Sequence, residues 1–325
     1  MFADDLRRAL TRLGVEQSAL TLDGGRPARR LRHELRAFNA DIVQAHGGEP
    51  LKRLAFAHDG TELVYRRVGG APAALHGGLR RRAYATLMDR AARVVTVADA
   101  VRDETLRLFG LAPDRVVTIP NAVDGARLRP ERGQRATRDL LGVSRASRVV
   151  LSLGALTWEK DPDAHLAVGQ RVLGDRTDAL HLIAGDGPLR HRTETMAAAS
   201  PVGDRIRFLG VRDDVADLLG IADVLLFASR PDGMEGMPGV LIEAGMSGVP
   251  VAGFDVAGVS EVVADGVTGR LVPWGDADRL ADAVLELFER GPSMAEAART
   301  RCFERFSIDP IARRYLRLYE EVLSG

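Results

Sequence analysis

The sequence predicts an α/β chain of two Rossmann-like domains, each a parallel sheet with helices on both faces. Three observations predict it. Apolar strand-like runs alternate with helical runs along the chain, which implies parallel strands joined by helical crossovers. At 325 residues the chain can bury two ordinary cores. The polar stretch 127–147, with Pro130 and Gly133, separates the two alternating runs as a linker would.

The first run opens with a helix over residues 1–14, where Phe2, Leu6, Ala9, Leu10 and Leu13 share one stripe. Gln17–Leu22 alternates as a strand does and is turned by Asp23-Gly24-Gly25. Leu31–Phe38 reads as a helix, Ala40–His46 as a strand with a polar tip, and Thr61–Val68 as a strand ending at Gly69-Gly70. A helix over Leu79–Ala92, a strand over Arg93–Ala98 and a helix over Asp99–Phe109 follow. The strand Arg115–Ile119 then leads into Pro120-Asn121-Ala122-Val123-Asp124.

After the linker and a short helix near Leu140, the second run starts with the strand Arg148–Leu153 and the loop Gly154–Lys160. Asp161 suits an N-cap, with Pro162 in the first turn of a helix reaching Val172. Ala179–Ala184 is a strand, Gly185-Asp186-Gly187-Pro188 a turn, Arg190–Ala199 a helix and Arg205–Gly210 a strand; Val211–Asp214 leads into a helix ending near Ile221. Two helices are expected over Asp276–Glu289 and Ser293–Glu304. The tail Pro310–Leu323 places Ile311, Tyr315, Leu318, Tyr319 and Val322 on one side, so it needs a surface to cover.

The chemistry concentrates in Asp223–Val251. A buried strand, Asp223–Ala228, runs into a glycine-rich loop, then a short apolar helix from Gly239 and a second strand at Pro250-Val251. Gly233, Gly236 and Gly239 let this loop approach a ligand closely. The helix start offers unpaired N–H groups and a positive dipole end to phosphate oxygens. Glu235 and Glu243, eight positions apart, could accept hydrogen bonds from hydroxyl groups on either side of that anion. An anion between two polyols describes a nucleotide-sugar. Glu243 lies among Val240, Leu241, Ile242, Ala244 and Met246, where a carboxylate is costly without a partner.

The run SRPDGMEGMPGVLIEAGMSGVPV resembles the Glu-x7-Glu signature of the retaining family-4 (group 1) glycosyltransferases of GT-B fold. Other elements are similar in order: ADIVQAHG, VVTIPNAVD, Gly185-Asp186-Gly187-Pro188 and Gly258-Val259-Ser260-Glu261. The resemblance spans nearly the whole chain and is densest from Arg148 to Pro273. It implies an acceptor-binding domain over 1–126, a nucleotide-sugar domain over 127–306 and a helix over 307–325 crossing back to the first, with a cleft between the domains. The family opens with a strand and glycine-rich loop ahead of its first helix, and this chain starts at that helix, so both are expected to be absent.

The resemblance also assigns roles. Glu235 would stabilise positive charge on the transferred sugar and Glu243 would hold the ribose hydroxyls. Lys160 and the backbone of Gly236, Met237, Pro238 and Gly239 would hold the diphosphate, with Gly154 beside them. Val211 and Arg212 would lie near the base, and His46 on the acceptor side. A solvated helix-start lysine and a solvated strand-end histidine are the plainer readings of Lys160 and His46. Ala155 stands where the family has arginine, and Asp161 where it has glycine. The implied activity is hexosyl transfer from a nucleoside-diphosphate sugar, UDP- or GDP-linked, with retention of configuration. The rival is a non-catalytic relative that binds nucleotide or sugar.

Composition excludes other classes. One cysteine, Cys302, rules out a disulfide framework and suits a reducing cytoplasm. The seven histidines show no metal-ligand spacing, so neither a metal nor another cofactor is expected. Aromatic residues at 5% leave little for a nucleic-acid stacking platform. Formal net charge is zero, yet residues 1–130 hold 22 Lys+Arg against 15 Asp+Glu. That surplus suggests an anionic acceptor, carbohydrate or lipid-linked, or peripheral contact of Arg29-Arg30 and Arg80-Arg81-Arg82 with an anionic membrane; arginine-rich residue usage on a solvated face is the alternative.

Overall fold

The computed structural model describes residues 2–20, 28–57 and 60–325, with residues 28–30 described by their backbone alone. The chain forms two compact units, Met1–Ala122 with Ile308–Gly325, and Val123–Ser307.

In the first unit α1 (Phe2–Arg12) and α2 (Ala28–Phe38) precede β1 (Ile42–His46), α3 (Gly48–Leu54), β2 (Glu62–Arg67), α4 (Gly78–Met88), β3 (Arg93–Thr96), α5 (Asp99–Phe109) and β4 (Val116–Thr118). Among the described residues the four strands form a parallel sheet in the order β1-β2-β3-β4. Alternation along β2 divides its side chains between two cores. Leu63 and Tyr65 join Leu51, Met88, Val94 and Phe109 on one face. Val64 faces Leu6, Leu10, Val95, Ile119 and the final helix of the chain on the other.

The second unit runs through α6 (Gln134–Leu140), β5 (Arg148–Leu153), α7 (Pro162–Asp175), β6 (Ala179–Ala184), α8 (Arg190–Ala198) and β7 (Ile206–Gly210). It continues with α9 (Val215–Ile221), β8 (Val224–Phe227), α10 (Gly239–Ser247), β9 (Val251–Phe254), α11 (Val259–Val262), β10 (Gly269–Val272) and α12 (Ala277–Phe306). Its sheet is parallel, in the order β10-β9-β8-β5-β6-β7. The order reverses between β5 and β8. In such sheets ligands bind beyond the carboxyl ends of the strands at that reversal.

Three expectations change, and the tail helix is found as expected. Residues 17–20 hold no strand, and the rest of the expected Gln17–Leu22 strand and its turn lie outside the described residues. The helix α3 lies in residues 47–60, for which the sequence pattern gives no element; Gly47 has φ 85, so the glycine turns the chain sharply into that helix. The two helices expected either side of Pro292 are one, since Leu280, Val284, Leu287, Met294, Ala298 and Cys302 continue a single buried stripe through it. The tail helix is α13 (Ile308–Ser324), whose Ile311, Tyr315, Leu318 and Val322 are buried in the first unit. The side chains of Arg29 and Arg30 lie outside the described residues. Arg80 and Arg82 are exposed, while Arg81 donates to the Leu108 carbonyl at 2.7 Å.

Candidate functional site

The carboxyl ends of β5 and β8, the strands flanking the reversal, carry the two loops singled out by sequence. Gly154–Lys160 leaves β5, and Ala228–Pro238 leaves β8. Close backbone contact fixes their shapes. Gly185 has φ 146, and a Cβ there would come within 1.8 Å of the Gly154 carbonyl oxygen. The Gly185-Asp186-Gly187 turn also accepts from Leu156 N–H through the Asp186 carbonyl at 2.9 Å. Gly258, φ 79, leaves a Cβ only 1.7 Å from the Gly236 carbonyl, so the loop before α11 is wedged under the glycine loop. Asp161 has φ 49, a left-handed conformation that the glycine expected from the family pattern would adopt without strain. Its side chain accepts from Ala164 N–H at 3.2 Å and caps α7.

These loops bring Lys160 and Glu235 together. Lys160 Nζ forms an ion pair with Glu235 Oε1, and Ser229 Oγ donates to the same oxygen at 3.1 Å. Ser229 is fully buried, so the carboxylate is held from behind. The ammonium also lies 5.8 Å from the Phe227 ring centroid. A cation and a carboxylate are thereby set at the ends of adjacent central strands.

Beneath them lies a polar chain through the sheet that the sequence did not suggest. Ala228 N–H donates to His165 Nε2 at 3.3 Å, so that nitrogen is unprotonated and Nδ1 carries the hydrogen. His165 Nδ1–H donates to Ser152 Oγ at 2.9 Å, and Ser152 donates to His181 Nε2 at 2.8 Å. His181 Nδ1 has no hydrogen-bond partner among the described residues and faces Gly169, where a Cβ would approach it to 2.2 Å. Burial, and then the Lys160 charge, pull the His165 pKa down to about 4; burial, and then His165, pull His181 down to about 3. Both rings are neutral at pH 7. The chain anchors Ala228, the residue before Ser229, to β5, β6 and α7.

Glu243 is 4% exposed on α10, among the buried Leu241, Ile242, Ala244 and Met246. One of its partners is Arg127, whose Nη2 donates to Oε1 at 2.7 Å. Arg127 sits in a one-turn 3-10 helix, Gly125–Leu128, opened by Asp124, whose carboxylate accepts from Ala126 N–H at 3.0 Å. Gly236, Met237 and Pro238 are buried before α10, and Gly239 begins it. The first N–H groups of that helix have no intrahelical acceptor.

The remaining expected residues are more dispersed. Gly154 follows β5 beside Ala155, which is exposed and supplies no charge. Val211 is 78% exposed. Arg212 is turned to Asp214 by two bonds, Nε to Oδ1 at 2.8 Å and Nη2 to Oδ2 at 2.6 Å. Those bonds lower the Asp214 pKa and leave the guanidinium less free to meet a base. His46 ends β1 in the first unit. Among the described residues no group of three or more His, Cys, Asp or Glu is placed to hold a metal ion, and no helix is long and apolar enough to cross a membrane.

Comparison with known proteins gives the family and the fold. Residues 147–290 match the family described as Glycosyl transferases group 1, and residues 6–127 match Glycosyltransferase Family 4. The chain belongs to the group 1, family 4 glycosyltransferases. It is 29% identical over 233 residues to the N-acetyl-alpha-D-glucosaminyl L-malate synthase of Bacillus anthracis, covering 71% of this chain and 60% of that protein. It is 31% identical over 221 residues to D-inositol 3-phosphate glycosyltransferase 2 of Catenulispora acidiphila, covering 65% and 51%. The chain therefore spans between about half and three fifths of the length of these relatives. Anabaena HepE, solved with UDP and glucose, superposes with a TM-score of 0.80 at 21% identity over 90% of this chain and 81% of that one. The family member has the GT-B fold.

Proposed function

We propose that this chain transfers a hexosyl group from a nucleoside-diphosphate sugar to a hydroxyl acceptor, with retention of configuration and without a metal ion. The observation that carries the reading is the Lys160–Glu235 pair at the reversal of the sheet, with the buried Glu243 behind it on the helix that follows the glycine loop. The ammonium and the N–H groups at the start of α10 are chemically suited to the diphosphate. Glu243, bonded to Arg127, is suited to the ribose hydroxyls. On donor binding the Lys160–Glu235 pair opens, the phosphate taking the ammonium and the sugar taking the carboxylate.

In the transfer step the bond from the anomeric carbon to the phosphate oxygen breaks as the acceptor oxygen bonds to that carbon. The acceptor proton passes to the departing phosphate. Glu235 stabilises positive charge at the sugar, and Lys160 the negative charge on the leaving diphosphate, which is electrostatic stabilisation of separating charges. No protein nucleophile or metal is required by this scheme. The site acts in the cytoplasm, where nucleotide-sugars are the substrates at hand.

A thermal-shift panel of UDP-, GDP- and ADP-sugars on this chain and on Glu243→Ala tests the reading. A donor at 100 times its dissociation constant adds about 2.7 kcal/mol of stability. Stabilisation by one nucleotide, lost in the variant, is expected; a flat panel refutes it. UDP is the natural first ligand, being the nucleotide in the HepE complex.

A further inference from the structure

The first unit contains a charged side chain that the donor chemistry leaves unused. Arg66, at the carboxyl end of β2, is 4% exposed and makes no ion pair among the described residues. Its guanidinium is held by neutral groups: Nε donates to Tyr315 Oη at 3.1 Å, Nη2 donates to Asn121 Oδ1, and the Phe2 ring centroid lies 4.0 Å from Cζ. Nη1 makes no hydrogen bond among the described residues. A buried cation without a counter-ion is costly, and buried charges are ordinarily paired.

The residue beside it adds a second open donor. His46 is the register partner of Arg66 on the neighbouring strand β1. Tyr319 Oη donates to Gln44 Oε1 at 2.8 Å, which fixes that amide so that Gln44 Nε2 donates to His46 Nε2 at 2.8 Å. The ring hydrogen must then be on Nδ1, which has no partner among the described residues. Burial, and then the Arg66 charge, hold the His46 pKa down to about 4, so the ring is neutral and Nδ1–H remains a donor at pH 7. Gln44, His46 and Asn121 are half-buried, so the cluster reaches the surface at the strand ends. That is the side of a parallel sheet on which ligands bind.

We infer that Arg66 Nη1 and His46 Nδ1–H seat an oxyanion, and that the acceptor carries a phosphate monoester or a carboxylate. The seat lies in the first unit and rests on the glycosyltransferase reading only for the word acceptor; the oxyanion site stands on its own geometry. One cation and one neutral donor, with no acidic side chain bonded to either, favour an anion over a neutral polyol. Arg66 supplies charge and His46 direction.

The test uses the full chain carrying Lys160→Ala, which removes the cation of the donor loop as a competing phosphate site. Glycerol 3-phosphate, L-malate and glycerol are titrated by calorimetry. The anions are expected to bind and glycerol not, and adding Arg66→Met is expected to weaken the anions by about tenfold or more. Equal affinity with and without Arg66→Met, or no preference for the anions over glycerol, overturns the inference. A measurement that needs no Arg66 variant stands beside it: the His46 ring nitrogen signals followed by NMR against pH. Saturating phosphate is expected to raise the His46 pKa, and an unchanged titration overturns the seat. UDP binding by the chain with Lys160 intact is read separately. Its failure strikes the donor reading, whereas UDP binding without anion binding strikes only the present inference.

Discussion

Replacing Arg127 by methionine tests whether Glu243 is an ionised carboxylate held in an apolar helix. The Glu243 side chain is 5% exposed and that of Arg127 is 30% exposed. Removing one member of a buried ion pair costs about 3–5 kcal/mol, because the other charge loses its counter-ion. Water reaches Arg127, so the cost is expected to fall below that range, at about 2–3 kcal/mol. In a unit of this size that lowers the unfolding midpoint by about 5–10 °C. The sign of the pH dependence follows from burial. Burial without a counter-charge favours the neutral form of a carboxylate, so in the variant the folded state takes up a proton more readily than the unfolded state. The deficit is therefore larger at pH 8 than at pH 5. Arg127→Met with Glu243→Gln should recover most of the loss, since both charges are then gone. Denaturant unfolding of the wild type, both single variants and the double at pH 5 and pH 8 gives the cycle. A deficit for Arg127→Met that is absent at pH 8, or equal at both pH values and unrelieved in the double, refutes the reasoning.

Glu235→Gln should lower kcat by about 10²–10³ while leaving UDP affinity intact or tighter, since Lys160 loses its competing partner; a weakened UDP affinity with kcat preserved would contradict the assigned role. Gly258→Ala should shift the glycine loop, because its Cβ would stand 1.7 Å from the Gly236 carbonyl at φ 79. A cost of about 1–3 kcal/mol and loss of UDP binding are expected in a melting and titration series, and wild-type behaviour in both would show the loop to be freer than its contacts imply. Acid should destabilise the second unit through His165 and His181, whose folded pKa values of about 4 and about 3 lie below the usual 6.5. Their stabilising contribution is complete above 6.5 and lost as pH falls towards 4, by up to about 1.4 kcal/mol per pH unit for each ring. His181→Gln should flatten that acid limb, which unfolding midpoints between pH 4 and 7 would reveal; an unchanged limb would place the acid lability elsewhere.

The second unit is the more legible half, and the reason is local. Its glycines, Lys160 and Glu235 lie in short loops tied to strand ends, and Glu243 on the helix that follows, so spacing along the chain translates into placement in space. The partners of those residues come from afar and left no such trace. Arg127 is 116 positions from Glu243, and nothing in the polar run around it singles out one arginine from Arg129 or Arg132. The apolar setting of Glu243 announced that a partner must exist without saying which. His165 and His181 were counted among seven scattered histidines; one sits on a helix and one on a strand, and only the sheet brings both to Ser152.

Helix boundaries failed where a residue-level rule met a longer pattern. Pro292 signalled a break, but the buried stripe from Leu280 to Cys302 continues in phase across it, and tertiary packing outweighs one missing hydrogen bond. The reverse holds at Arg66. Strand alternation alone places it on the same face as Val64, the face that α13 covers, where an apolar residue is expected. A cation kept at such a position, with Tyr315 and Asn121 turned to hold it and no carboxylate supplied, breaks the pattern that the rest of β2 obeys. Departures from local rules concentrate where a fold serves a ligand, and this one lies beside His46, the strand-end histidine that the family resemblance sets on the acceptor side.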